Sequence, residues 1–169
     1  MRASVIRNQG AASFEELKPV CQVLILHEDF PAYSHAVEIC RGVMERLASE
    51  LDFNIKCWSF IELADPNCAR HAGKTAGAAD IILLSTRADV VPTEVERWLG
   101  AFFATRFRPD GILALLTNVR SMAGQPALAG RLEKLATRFG MDFLSLLPDD
   151  DIRAVLPRRA AEALRQARK

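Results

Sequence analysis

Apolar positions along the chain fall into two alternating rhythms. Val20-Cys21-Gln22-Val23-Leu24-Ile25-Leu26 is a nearly unbroken apolar run rich in branched residues. Such a run predicts a central β-strand covered on both faces. It ends at His27-Glu28-Asp29-Phe30-Pro31, where the acidic pair and the proline stop the strand. From about Ser34 to Leu51 the rhythm changes. Val37, Cys40, Met44, Leu47 and Leu51 recur every three or four residues, which predicts a helix with one buried stripe. Arg41, Glu45, Arg46 and Glu50 lie off it.

Phe53 to Phe60 reads as a second strand, with Phe53, Ile55 and Cys57 alternating against Asn54, Lys56 and Trp58. Partial alternation predicts an edge position with one side exposed. Ala69 to Ala79 is an alanine-rich helical segment, and Ile81 to Thr86 a third, fully buried strand. Thr93 with Glu96 has the spacing of a capping box and opens a helix carrying Val95, Trp98, Leu99, Phe102 and Phe103. Ile112 to Leu116 is a fourth strand, followed by a polar loop from Thr117 to Gln125. Pro126 opens a helix with Leu128, Leu132, Leu135 and Phe139 on one face, and Gly140 closes it. Met141 to Leu147 is the fifth strand. A turn at Asp149 to Asp151 follows, then an arginine-rich helical tail restarted at Pro157.

A β-α unit repeated five times, with connections long enough for crossover helices, predicts a three-layer α/β/α sandwich around a five-stranded parallel sheet. The weak patterning of the second strand puts it at an edge and gives the order 2-1-3-4-5. Residues 1–19 form a lead-in and residues 20–169 one domain, because no linker or second composition regime interrupts them.

Composition changes this picture little. The 169 residues are 50% hydrophobic and 25% charged with a net charge of +1, which excludes extreme disorder and bulk steering toward nucleic acid or anionic membrane. No apolar stretch is long enough to span a bilayer, and the first 18 residues lack the core of a signal peptide, so the expected location is cytoplasmic. Cys21, Cys40, Cys57 and Cys68 show no C-x-x-C pairing and read as free thiols.

The segment AADIILLSTRADVVPTEVERWL, ending at Leu99, resembles the third strand, loop and following helix of flavodoxin-like proteins. The resemblance implies a flavodoxin-like fold over roughly Val20 to Lys169 and raises FMN as a cofactor. It departs where the flavin phosphate would sit. Flavodoxins have threonines, serines and glycine after the first strand, whereas this chain has His27, Glu28, Asp29, Phe30 and Pro31. Two carboxylates repel a phosphate, and no glycine allows the tight wrap. Nor does any G-x-G-x-x-G or G-x-x-x-x-G-K motif occur. The acidic pair Glu28-Asp29 also resembles that of response-regulator receiver domains. Ser85 and Thr86 stand where the receiver's phosphate-accepting aspartate would be, Thr117 matches its hydroxyl residue, and Leu146-Leu147-Pro148 lacks its lysine.

Open parallel sheets bind ligands beyond the strands' carboxyl ends, where the strand order reverses. For 2-1-3-4-5 that point lies between strands one and three. The candidate ligand-binding rim is therefore His27, Glu28, Asp29, Tyr33, Ser34, Thr86, Arg87 and Asp89, joined by Asn118 and Arg120. Glu28 and Asp29 are read as solvated loop carboxylates, with a divalent-cation or ammonium site as the alternative. Arg87 is read as the ion-pair partner of one of them, with anion recognition as the alternative. His27 is expected to bond locally; it could serve as an acid or base, but no nucleophile stands beside it. His35 and His71 are surface or interface residues. Trp98, Phe102 and Phe103 put three large rings on one helix, which raises a dimer contact through it. The basic tail is a solvated helix end rather than a nucleic-acid site.

The function expected from sequence is a non-catalytic binding or regulatory module with a protein partner or self-association, and a small-molecule ligand remains open. The rival is an FMN-binding electron carrier or flavin-dependent reductase with a diverged phosphate loop.

Overall fold

The structure is a computed structural model, and it describes residues 18–88, 90–106, 110–117, 125–146 and Glu162. Five parallel strands form one sheet: β1 Val20–His27, β2 Asp52–Ser59, β3 Ile81–Thr86, β4 Ile112–Thr117 and β5 Asp142–Leu146. Their order is β2-β1-β3-β4-β5, as the patterning predicts. Four α-helices connect them: α1 Phe30–Leu47, α2 Pro66–Ala78, α3 Thr93–Phe103 and α4 Gln125–Arg138. Apart from Glu162, which is helical, the fifth helix expected after Pro157 falls outside the described residues, as does Leu147.

Successive side chains of a strand point to opposite faces, so each apolar run feeds two cores. Leu24, Leu26, Ile82, Leu84, Leu113 and Leu115 face α2, α3 and α4, meeting Ala72, Ala76, Leu99, Phe103, Leu132 and Ala136. The alternate residues Val23, Ile25, Leu83, Ala114 and Leu116 face the other way, with Ala36, Cys40, Val43 and Leu47 of α1 on that side. Every residue of β3 and β4 is buried, whereas β2 is at best half-buried, as edge and centre require.

Three helix starts differ from the sequence reading. Helix α1 begins at Phe30, not Ser34, and ends at Leu47. Asp29 is its N-cap, and Pro31 sits in its first turn, where a missing N–H costs nothing. Proline thus opens the helix instead of ending the strand. Leu51 is buried, but it lies past a turn closed by its own N–H on the Leu47 carbonyl. Helix α2 likewise starts early, at Pro66, with Asp65 accepting from the N–H groups of Asn67 and Cys68, both at 2.9 Å.

The capping box expected at Thr93 and Glu96 does not form. Pro92 occupies the N-cap position with no side-chain cap, and Glu96 reaches across to Arg131 at 2.8 Å. A box with the same spacing forms at Ser59 and Glu62. The Ser59 hydroxyl accepts from the Glu62 N–H at 3.2 Å, and Glu62 Oε2 accepts from the Ser59 N–H at 2.7 Å. It precedes a short 3-10 turn, Glu62–Ala64, at the exit of β2, whose own N-cap Ile61 makes no side-chain bond.

At the opposite end of the sheet, the Arg106 guanidinium gathers three carbonyls. It donates to Ala76 at 2.8 Å, Ala79 at 3.0 Å and Asp110 at 2.8 Å, tying the end of α2 to the approach to β4. Gly140 ends α4 with φ +72°, the left-handed cap its position predicts. Among the described residues no helix is long and apolar enough to cross a membrane.

Candidate functional site

The register brings the strand ends to one level, with His27 of β1 opposite Ser59 of β2 and Ser85 of β3. Residues leaving β1 and β3 therefore meet at the point where the strand order reverses. Of the predicted rim, the structure brings together His27, Glu28, Asp29, Tyr33, Thr86 and Arg87. Ser34 stands exposed on α1, and Asp89, Asn118 and Arg120 lie outside the described residues.

The crevice between β1 and β3 is stitched from its own side chains. The Glu28 N–H extends the ladder to the Ser85 carbonyl at 3.0 Å. Glu28 Oε2 then accepts from three donors in the turn after β3: the Thr86 hydroxyl at 2.9 Å, the Arg87 N–H at 2.7 Å and the Ala88 N–H at 3.2 Å. Asp29 works at the start of α1, where its Oδ1 accepts from the Ala32 N–H at 2.9 Å and its Oδ2 pairs with the Arg87 guanidinium. The Ala32 N–H and Arg87 together hold the Asp29 carboxyl below the usual carboxylate range. Ser85, almost fully buried, donates from its hydroxyl to the Ala32 carbonyl at 2.8 Å and fastens α1 to β3.

The sequence reading expected solvated loop carboxylates; the pair is only partly exposed, the Asp29 side chain at 29%, and both members also accept hydrogen bonds. Both carboxylates are committed to donors of the same chain. As a cation site the pair is poorly suited, because Glu28 Oε2 and both Asp29 oxygens already face N–H, hydroxyl or guanidinium donors. Among the described residues no group of three or more histidine, cysteine or acidic side chains converges to hold a metal.

His27 directs Nδ1 to the Asp29 carbonyl at 3.2 Å and lies 5.1 Å, centroid to centroid, from the Tyr33 ring. Burial lowers its pKa, outweighing that hydrogen bond and the charges of Glu62 and Asp29. The imidazole is therefore held neutral. Three of the thiols are also held protonated by burial. Burial raises Cys21 and Cys40 to about 12 and Cys57 to about 11, and all four cysteines are unpaired.

Of the rings expected at a dimer contact, Trp98 and Phe103 are buried and Phe102 is half-buried. Phe103 and Trp98 are 2% and 6% exposed, and Trp98 Nε1 donates to the Ala69 carbonyl at 2.9 Å. The Phe102 ring lies 4.8 Å from that of Trp98 and packs over Gly73 of α2. One helix face accommodates all three because the glycine gives the third ring a seat.

Sequence reasoning missed a different set of apolar groups. Phe30, Ile61 and Val90 are 75%, 81% and 67% exposed, and they belong to the segments leaving β1, β2 and β3. These strands are adjacent in the sheet, so all three residues follow the same edge of it. Single exposed hydrophobics carry no message, but a group of them on neighbouring strand exits does. Only the topology makes their strands neighbours.

No family model and no curated protein matches the chain. Solved structures do. A short-chain flavodoxin associated with a non-canonical PDU bacterial microcompartment superposes with TM-score 0.55 at 12% identity, covering 88% of this chain and 99% of its own. The two-electron reduced flavodoxin of Megasphaera elsdenii gives TM-score 0.53 at 17% identity, over 83% and 99% of the two chains. The chain therefore has a flavodoxin-like fold. At such identities the likeness concerns the fold alone.

The residues at the start of α1 and after β3 do not fit a flavin phosphate. An anion at a helix N-terminus needs free N–H groups and no competing negative charge. Here Asp29 already caps α1, and Glu28 already fills the turn after β3.

Proposed function

We propose that this chain is a non-catalytic binding module that docks a protein surface through the strand-exit rim. The observation that carries the reading is the exposure of Phe30, Ile61 and Val90 on three adjacent strand exits. Beside them the polar groups of the crevice are consumed by one another. Apolar side chains held at a rigid edge suit a partner that buries them, and each gains about 25 cal/mol per Å² of apolar surface removed from water. A second copy of the chain is the partner we favour. A net charge of +1 leaves little long-range repulsion between copies.

Sedimentation equilibrium over a concentration series tests this. The wild-type chain is expected to self-associate reversibly. The triple substitution Phe30→Ser, Ile61→Ser, Val90→Ser is expected to be monomeric with unchanged far-UV circular dichroism, since none of the three side chains is buried. Association that survives the triple substitution, or a wild type that is monomeric throughout, overturns the reading.

A further inference from the structure

We infer that the turn Thr86-Arg87-Ala88 is a binding site for a small carboxylate, and that Glu28 is its tethered, autoinhibitory occupant. Three donors converge there on a single oxygen, Glu28 Oε2: a hydroxyl and two consecutive backbone N–H groups. Successive N–H groups aimed at one point form an anion-binding concavity, and a carboxylate bonded to several of them is held strongly.

The turn is also bonded within itself. Thr86 is 1% exposed, and its Oγ1 accepts from the Ala88 N–H at 3.1 Å and lies 3.3 Å from the Ala88 carbonyl oxygen. The donors are braced from within the turn. Arg87 adds a guanidinium beside them, engaged with Asp29 rather than Glu28. The Ala88 N–H is shared between Thr86 Oγ1 and Glu28, and the Glu28 carboxylate arrives from 58 to 60 residues earlier in the chain.

A free carboxylate that displaces Glu28 makes the same three hydrogen bonds. It also removes one tie between the exit of β1 and the turn after β3, two residues before the exposed Phe30, while the Glu28 N–H on the Ser85 carbonyl and the Asp29–Arg87 pair remain. Ligand binding would thereby loosen the corner that carries part of the rim. The site itself does not depend on the docking reading, because its donors and its occupant lie within one chain.

Chemical rescue tests the inference. Glu28→Ala in the full chain empties the socket, and thermal unfolding is followed against sodium formate with sodium chloride matched for ionic strength. The variant is expected to melt below wild type. Formate is expected to raise its Tm saturably by about 2–4 °C, the shift of a weakly held ligand in a chain of this size. Wild type is expected to respond beyond chloride only at much higher formate, because the tethered Glu28 must first be displaced. Thr86→Val in the Glu28→Ala background removes one donor and is expected to abolish most of the rescue. If Glu28→Ala fails to fold without formate, Glu28→Gln carries the test. Its uncharged amide is a weaker occupant, so formate is expected to stabilise it more than wild type. Formate acting on neither variant beyond its effect on wild type overturns the inference, and so does rescue that ignores Thr86→Val. Self-association is not part of this readout, so the loss of either claim leaves the other standing.

Discussion

Helix α2 carries two glycines that should respond oppositely to the same substitution. A methyl group added at Gly77 meets nothing within 4 Å. Gly77→Ala should therefore show only the helix-propensity gain and stabilise the chain by about 1 kcal/mol. At Gly73 the added Cβ would stand 1.9 Å from Cε1 of Phe102 and 2.2 Å from Cδ1. Carbon atoms in contact sit roughly 3.5–4.0 Å apart, so the ring must retreat by about 1.5 Å or more. That retreat would disturb its contact with Trp98, whose centroid is 4.8 Å away. Overpacking of this kind costs about 1–3 kcal/mol, against the same gain of about 1 kcal/mol. Gly73→Ala should thus range from neutral to about 2 kcal/mol destabilising. In a Phe102→Ala background the obstacle is gone, and Gly73→Ala should become stabilising by about 1 kcal/mol. Urea unfolding of the four members of this cycle reads the coupling directly, expected at about 1–3 kcal/mol. Additivity within about 0.5 kcal/mol would refute the seating of Phe102 on Gly73, and with it the account of why three rings fit one helix.

Arg106→Ala leaves three carbonyls without their charged donor and should cost on the order of 2–3 kcal/mol in urea unfolding, with Arg106→Lys recovering only part. Thr93→Ala should change stability by less than about 0.5 kcal/mol, since Thr93 caps nothing; a loss of about 1 kcal/mol or more would restore the capping box there. His27 has a folded-state pKa below its ordinary 6.5, so on acidification the unfolded chain takes up its proton first. Stability should fall as pH drops below 6.5 and level off below the folded pKa. His27→Gln should flatten that part of the profile, and a steeper profile in the variant would contradict the neutral imidazole.

The sheet was legible because its central strands are uninterrupted apolar runs. Ile81 to Thr86 has no polar break before Ser85, and such a segment has no place except between covered faces. Helix starts were less legible because proline and aspartate mark both the end of one element and the start of the next. Asp29 with Pro31 and Asp65 with Pro66 act as openers, although Pro31 read as a stop. The capping-box spacing occurs at both Ser59 and Thr93. The box forms only at Ser59, while at Thr93 the preceding Pro92 takes the cap position itself. The switch point was predictable in position but not in content. Topology delivers Glu28 and Thr86 to the same place, but that one carboxylate would satisfy the other strand's turn is a tertiary fact. The exposed Phe30, Ile61 and Val90 were invisible for a related reason, because only the sheet order places the segments that carry them after adjacent strands.

The closure of the crevice by Glu28 and Asp29 is the claim on which the departure from a flavin carrier rests. Fluorescence titration of the purified chain with FMN, and in parallel with riboflavin, isolates the contribution of the phosphate. Neither flavin is expected to be quenched saturably, and the protein is expected to be colourless. Stoichiometric binding of FMN that is much tighter than that of riboflavin would show a phosphate seated where the two carboxylates stand, and would contradict the account.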